Sequence, residues 1–218
     1  MSRSWPTLWT AATLAAVTGC AAGHQAGPAP VPASPSAAPA YYTGLSGECP
    51  TLTSPEAVRF TSSHKAEGIR SPKQRDYERI DCAWSSADVT PPWVVVALMI
   101  YHGPDTARQA AEQYFNQGLE YDTSRANFSS AIRATKRTTP SGPAYVVANA
   151  EKSSTNKSGA DQVSQTTLVG NVIVNVLLFE KQHPGVDRST RAVELLADLA
   201  ATGDAITAEI AGQLVSQT

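Results

Sequence analysis

The stretch that decides the fold is Trp93–Tyr101, WVVVALMIY. It is rich in β-branched and aromatic residues and almost continuously apolar, as strands covered on both faces are. A second run of the same character, Val172–Phe179 (VIVNVLLF), predicts another central strand. Gly170-Asn171 separates it from Val163–Val169, and such a dipeptide between two strand-like runs signals a hairpin. Upstream, Pro140-Ser141-Gly142-Pro143 reads as a turn between a polar strand (Ile132, Ala134, Lys136, Thr138) and the strand Ala144–Ala150. Ile80–Ser85 predicts a short strand that places Cys82 and Trp84 on one face.

Helices fit between these strands. Thr53-Ser54-Pro55-Glu56 is a helix start, with Thr53 and Glu56 as a capping box and Pro55 in the first turn. After Gly103-Pro104-Asp105, Ala107, Ala110, Ala111, Tyr114, Phe115 and Leu119 recur at helical spacing, and Gly118 is read as the fraying end. A C-terminal helix, capped by Asp187 or Ser189, follows the break at His183-Pro184-Gly185. Its expected apolar face is Val193, Leu196, Leu199 and Ala200, with an interruption at Gly203-Asp204 before Ile206, Ile210 and Leu214. Residues 61–76 and 153–159 read as surface loops. The order is helix, two strands, helix, three or four strands, helix. Short turns between consecutive strands make the sheet antiparallel, so the predicted class is α+β: one antiparallel β-sheet packed with helices, in two or three layers.

The first forty residues have a different composition. Leu8–Val17 is apolar but too short to span a bilayer, and Arg3 precedes it, so residues 1–19 read as a signal peptide. The run ends in Val17-Thr18-Gly19-Cys20, which is similar to a bacterial lipobox and makes Cys20 the expected lipidation site. An ordinary secretory cut nearby is the alternative. Residues 20–40 are rich in Pro and Ala and form a tether that would reach roughly 60 Å when extended. Residues 41–218 remain as a single α+β domain. The expected location is the outer face of the bacterial cytoplasmic membrane, with the membrane as a partner through the N-terminal lipid. A net charge of −2 argues against nucleic-acid binding and against a polybasic membrane patch.

Three cysteines are present. With Cys20 acylated, Cys49 and Cys82 remain, and an oxidising compartment favours their pairing. A metal site would need further ligands at close spacing, and none flank either residue; a reactive thiol is the other alternative.

No catalytic motif is present: Gly44-Leu45-Ser46-Gly47 falls short of a nucleophile elbow, and His64, His102 and His183 lie far apart and in no metal-ligand spacing. No catalytic, cofactor-binding or metal residue is assigned, and no cofactor is expected. Candidate interaction residues are Trp93, at a strand start after Pro91-Pro92, and Arg70, Lys73 and Arg75. These three, with Arg79, interleave with Glu67, Asp76, Glu78 and Asp81, so the segment reads as a solvated charged loop or as a recognition loop held by the disulfide. Trp84 is expected to pack over the disulfide, and Asn175 needs a hydrogen-bond partner inside its apolar strand.

The lipobox, the low-complexity tether, Cys49-Pro50-Thr51-Leu52-Thr53 leading into a helix, and Cys82-Ala83-Trp84 together resemble a family of secreted actinobacterial lipoproteins catalogued as a domain of unknown function. The resemblance implies a PsbP-like α+β sandwich, surface display, and no established activity; it transfers no catalytic residue. The function expected is a non-enzymatic binding or interaction module for an envelope protein or a cell-wall component. The alternatives are a small-ligand-binding or sensor domain and a cell-wall or lipid hydrolase.

Overall fold

The structure, a computed structural model, describes residues 41–61, 66–71, 74, 76–85, 90–103, 105–150 and 160–217. Cys20, the tether, His64, Lys73 and Arg75 lie outside them. Seven strands form one antiparallel sheet: β2 (Glu67–Arg70), β3 (Tyr77–Trp84), β4 (Trp93–Tyr101), β5 (Ile132–Thr139), β6 (Gly142–Asn149), β7 (Ala160–Val169) and β8 (Val172–Lys181). Their spatial order is β2-β3-β4-β8-β7-β6-β5. A second, two-stranded ribbon pairs β1 (Tyr42–Leu45) with β9 (Leu214–Ser216). Three helices complete the fold: α1 (Pro55–Thr61), α2 (Ala107–Phe128) and α3 (Arg188–Ala211). The predicted α+β class therefore holds, with helices on both faces of the sheet.

The topology follows from the two apolar runs. β4 and β8 pair along Trp93–Ile100 in the middle of the sheet. From β4 the chain crosses as α2 to the far edge, then returns through the β5-β6-β7-β8 meander to lie beside β4. Even-numbered positions of β4 (Val94, Val96, Leu98, Ile100) face α1 and α3 and share a core with Phe60, Leu195, Leu199, Ile206 and Ile210. Met99 and Tyr101 point the other way, to Ala107, Ala111 and Phe115 of α2. Burial of one side throughout and of the other side beneath α2 explains why polar alternation is largely missing from these strands.

Several expectations are corrected. Residues 61–76 are not simply loop: they contain β2, an edge strand paired with β3 and exposed at all four positions. Gly118 does not end α2, which continues to Phe128. A Cβ at Gly118 would lie 2.4 Å from the Tyr145 hydroxyl, so this glycine lets the helix sit down on β6. α3 is likewise unbroken at Gly203, where a Cβ would lie 2.6 Å from the Oε1 of buried Gln165. Asp204 bonds Gln165 Nε2 at 3.0 Å and Arg137 at 2.5 Å, which fixes α3 to β7 and β5. The buried stripe of α3 runs through Ala192, Leu195, Leu199, Ile206 and Ile210; Val193 is 54% exposed, and Leu214 belongs to β9. Asp187 caps α3 by accepting from the Ser189 and Thr190 amides, as expected.

The expected Thr53/Glu56 box is replaced by a longer-range device. Ser54 Oγ accepts from the Ala57 amide, while the Thr53 and Ser54 amides donate to Glu209 of α3 at 2.6 and 2.7 Å. Burial pushes the Glu209 carboxyl up, but the hydrogen bonds from Ser54 and Thr53 outweigh it and hold the group below the ordinary glutamate range. Glu209→Gln is expected to lower stability by about 1 kcal/mol at neutral pH, the usual worth of a cap. Because the folded-state pKa is depressed, this contribution is fully present above the ordinary glutamate range and fades as pH falls through the depressed value. Urea midpoints of the two proteins should therefore differ near pH 7 and converge as the pH falls below the depressed folded-state value.

Candidate functional site

Two places on the described surface are built from more than core packing. The first surrounds the disulfide. Cys49 and Cys82 are bonded (S–S 2.06 Å, Cα–Cα 5.8 Å), as expected. The bond pins the segment before α1 to β3, and a Cβ on Gly68 of β2 would lie 2.8 Å from Cys49 Sγ. Gln213 completes the clamp, accepting from the Thr51 amide and donating to its carbonyl, both at 2.8 Å. These ties leave a cleft of about 560 Å³ whose lining includes Glu48, Thr51, Thr61, Leu52, Trp84 and Cys49. Trp84 is buried in the same cluster as Cys82.

The second is the α2 side of the sheet. α2 runs obliquely from the end of β4 toward the start of β5 and covers Met99, Tyr101, Tyr145, Val147, Leu168 and Ile173. Trp93, Val95, Asn175, Leu177 and Phe179 are left partly exposed. Their odd-numbered positions put them on the same side as Met99 and Ile173, and the register sets Asn175 opposite Ala97, Leu177 opposite Val95 and Phe179 opposite Trp93. The Trp93 and Phe179 rings stack with centroids 3.6 Å apart.

α2 forms the wall of this open area. Tyr114 approaches Tyr101 (centroids 6.4 Å), which in turn meets Tyr77 (5.5 Å), so that flank of α2 looks toward β3 and β4. Tyr121 and Phe128 follow at intervals of seven, nearly two turns each, on the same flank. Among the described residues, every exposed aromatic side chain lies there: Tyr114 at 44%, Tyr121 at 65% and Phe128 at 90%. Burial, then the neighbouring Tyr114 and Tyr77, pushes the Tyr101 phenol up to about 12, so it stays protonated. Burial also raises Asp122, against the pull of Arg125.

Of the residues singled out from sequence, Trp93 sits on this open face. Arg70 does not: its guanidinium is held by Glu78 (2.9 Å) and by the Gly47 carbonyl (2.8 Å), which makes it a clip between β2, β3 and the N-terminal segment. Arg79 is likewise chelated by Asp81. Asn175 finds its expected partner, donating to Thr166 Oγ1 at 2.8 Å. His183 is exposed, and among the described residues no group of three or more His, Cys, Asp or Glu is arranged to hold a metal ion. Tyr121 and Phe128 were not singled out. The signal that marks them is the aromatic spacing 114, 121, 128, which acquires meaning only once α2 is known to continue past Gly118.

No family model matches this chain, and neither a curated protein nor a solved structure matches it. No helix among the described residues is long and apolar enough to cross a membrane.

Proposed function

We propose that this chain is a lipid-anchored extracytoplasmic lipoprotein, held through Cys20 on the outer face of the bacterial cytoplasmic membrane. Its domain acts as a non-enzymatic binding module for a component of the envelope or cell wall. The lipobox-like Val17-Thr18-Gly19-Cys20 and the Pro/Ala-rich tether support the placement. The resemblance to actinobacterial lipoproteins supports a PsbP-like relationship.

The observation that carries the binding role is the row Tyr114, Tyr121 and Phe128 along one flank of α2. Exposed aromatic rings lose little entropy when they bind and contribute large contact areas, so a contiguous set of them is typical of recognition surfaces. Photo-crosslinking groups placed at 121 and 128 in the intact envelope are expected to capture a component that the same group at Val193, on the opposite side of the sheet, does not. Tyr121→Ala should sharply reduce capture from 128, and Phe128→Ala capture from 121, and the double alanine variant should shift the melting temperature by less than about 2 °C, since neither ring is buried. Equal capture from all three positions would sink the assignment.

The cleft beside the disulfide favours a second reading, a small-ligand or sensor domain. Its volume lies in the range of ligand pockets, and its lining mixes Glu48, Thr51 and Thr61 with Leu52 and Trp84. A compound that raises the melting temperature of the native protein, but not of Gly68→Leu, would support that reading.

A further inference from the structure

The aromatic row on α2 has a composition and a shape that bear on what it meets. We propose that the Tyr114, Tyr121 and Phe128 flank of α2 rests on the lipid surface of the membrane that anchors the chain, with the rings at the level of the headgroups. This rests on the reading of that row as the binding surface and of Cys20 as the anchor, and it names the bilayer itself as the component met.

The build of α2 is the first argument. Its fully buried residues, Ala107, Ala111 and Phe115, all lie in its first half. Beyond Phe115 the helix is held by partial burial only, with Leu119 and Ala126 packed at the margin of the cluster beneath it. Asp122, Thr123, Ser124 and Asn127 are modest helix formers, so the last turns gain little from propensity either. Exposure of the rings climbs along the same stretch, from 44% at Tyr114 to 65% at Tyr121 and 90% at Phe128. The helix thus carries three rings progressively further into solvent over about 21 Å.

Composition is the second argument. At about 100° per residue, the positions nearest the row are Gln117 and Ser124 on one side and Gly118 and Arg125 on the other. Arg125 is the single ion of these four, and Asp122 stands 3.7 Å from it. A polyanion would find no unbalanced cation in this strip. Aromatic rings among small and uncharged polar side chains make up an interfacial belt, in which the ring body meets acyl chains and the polar tip stays wet. The flank of a helix is also convex. A folded partner must bring a matching groove to cover it, whereas a fluid lipid surface moulds to it.

The third argument is where the tether joins the domain. Tyr41 packs against the cluster beneath α2, and its hydroxyl accepts from the Gly103 amide at 3.0 Å, four residues before α2 begins. The domain is therefore entered on the α2 side of the sheet, and Cys20 lies only 21 positions ahead of Tyr41. A leash of this length holds the row near the bilayer at an effective concentration of the order of millimolar. A contact too weak to recruit a free domain suffices under that condition.

The test uses the full chain, lipidated at Cys20 and inserted in vesicles of phosphatidylglycerol and phosphatidylethanolamine that contain no other protein. A photo-crosslinking residue at 121 or at 128 is expected to give lipid adducts about fivefold above those from the same residue at Val193. Tyr121→Ala should lower the yield from 128 by about fivefold, the effect of one ring partly withdrawn from water, and the fold should be unchanged because the ring is exposed. Since the strip carries no net charge, vesicles of phosphatidylcholine alone should give yields within about twofold of the first set. Equal adducts from Val193 would mean a domain tumbling beside the bilayer, and adducts that vanish in phosphatidylcholine would mean a charge-driven contact; either result overturns the proposal. A chain that carries no acyl group at Cys20 overturns it as well, because the leash is then absent. If 121 and 128 give no lipid adducts in vesicles but still capture a protein or a glycan in the intact envelope, the lipid proposal fails and the binding surface stands. If both experiments are negative, the surface reading fails with it.

Discussion

Replacing Arg191 with leucine is expected to destabilise the domain by about 3–5 kcal/mol, the range for removing one member of a buried ion pair. Asp161, at the start of β7, has no side-chain exposure, and Arg191 of α3 has 8%. Arg191 Nε donates to Asp161 Oδ2 at 2.8 Å, while Arg188 stands further off at 3.5 Å. Without Arg191 the carboxylate stays buried beside an apolar neighbour, with only the long Arg188 contact among the described residues to offset its desolvation. Urea unfolding checks this: the midpoint should fall with little change in slope. The double variant Asp161→Asn with Arg191→Leu should recover part of the loss, because no uncompensated charge remains. An equal or greater loss in the double variant would show that Arg191 acts through packing and not through its charge.

The second large effect concerns the disulfide. Cys49→Ser with Cys82→Ser is expected to lower stability by about 3–4 kcal/mol, the loop-closure value for a separation of 33 residues. The closed loop contains α1 and the edge strand β2. β2 pairs on one side only and buries none of its four residues, so the covalent link is a main reason the edge stays ordered. Denaturation with and without reductant should give the same difference as the double variant. A loss under about 1 kcal/mol would mean that the Gln213 and Glu209 contacts hold the N-terminal segment without help. The cleft lined by Glu48, Thr51 and Trp84 should lose its shape in the reduced protein, and any ligand bound there should be released.

How far the sequence could be read depended on where each element takes its stability. β4 and β8 are fully buried on the α1/α3 side and partly covered by α2 on the other, so both are almost continuously apolar, and both were legible. So were the Gly170-Asn171 hairpin, the Asp187 cap and the cysteine pairing. β2 was not, because its four exposed residues carry no periodic signal and it exists through pairing with β3. β1 and β9 are three or four residues long, and they find each other across nearly the whole domain. The second half of α2 was hidden because glycine usually ends a helix; the Tyr145 hydroxyl that demands this glycine is distant in sequence. The phase of α3 was misread for a similar reason: its buried stripe includes Gly203 and Thr207, a small and a polar residue that serve Gln165 and not an apolar neighbour. The candidate site shared this fate. Trp93 stood out by its position, whereas Tyr121 and Phe128 lay beyond the apparent end of their helix.

The β1–β9 ribbon has a mechanical consequence. Where the chain enters the domain, the Tyr42 amide donates to Asn171 and its carbonyl accepts from Asn171, at 2.7 and 2.8 Å, and Asn171 also grips the Tyr101 carbonyl. A pull on the chain ahead of residue 41 would meet this short ladder first. If the ladder gave way, the strand could peel back only as far as Cys49, where a covalent bond to β3 takes the load. Slack of a few residues ending in a hard stop is how a strain-relief fitting protects a cable. A load applied ahead of residue 41 would be spent there, and the α2 face would keep its shape.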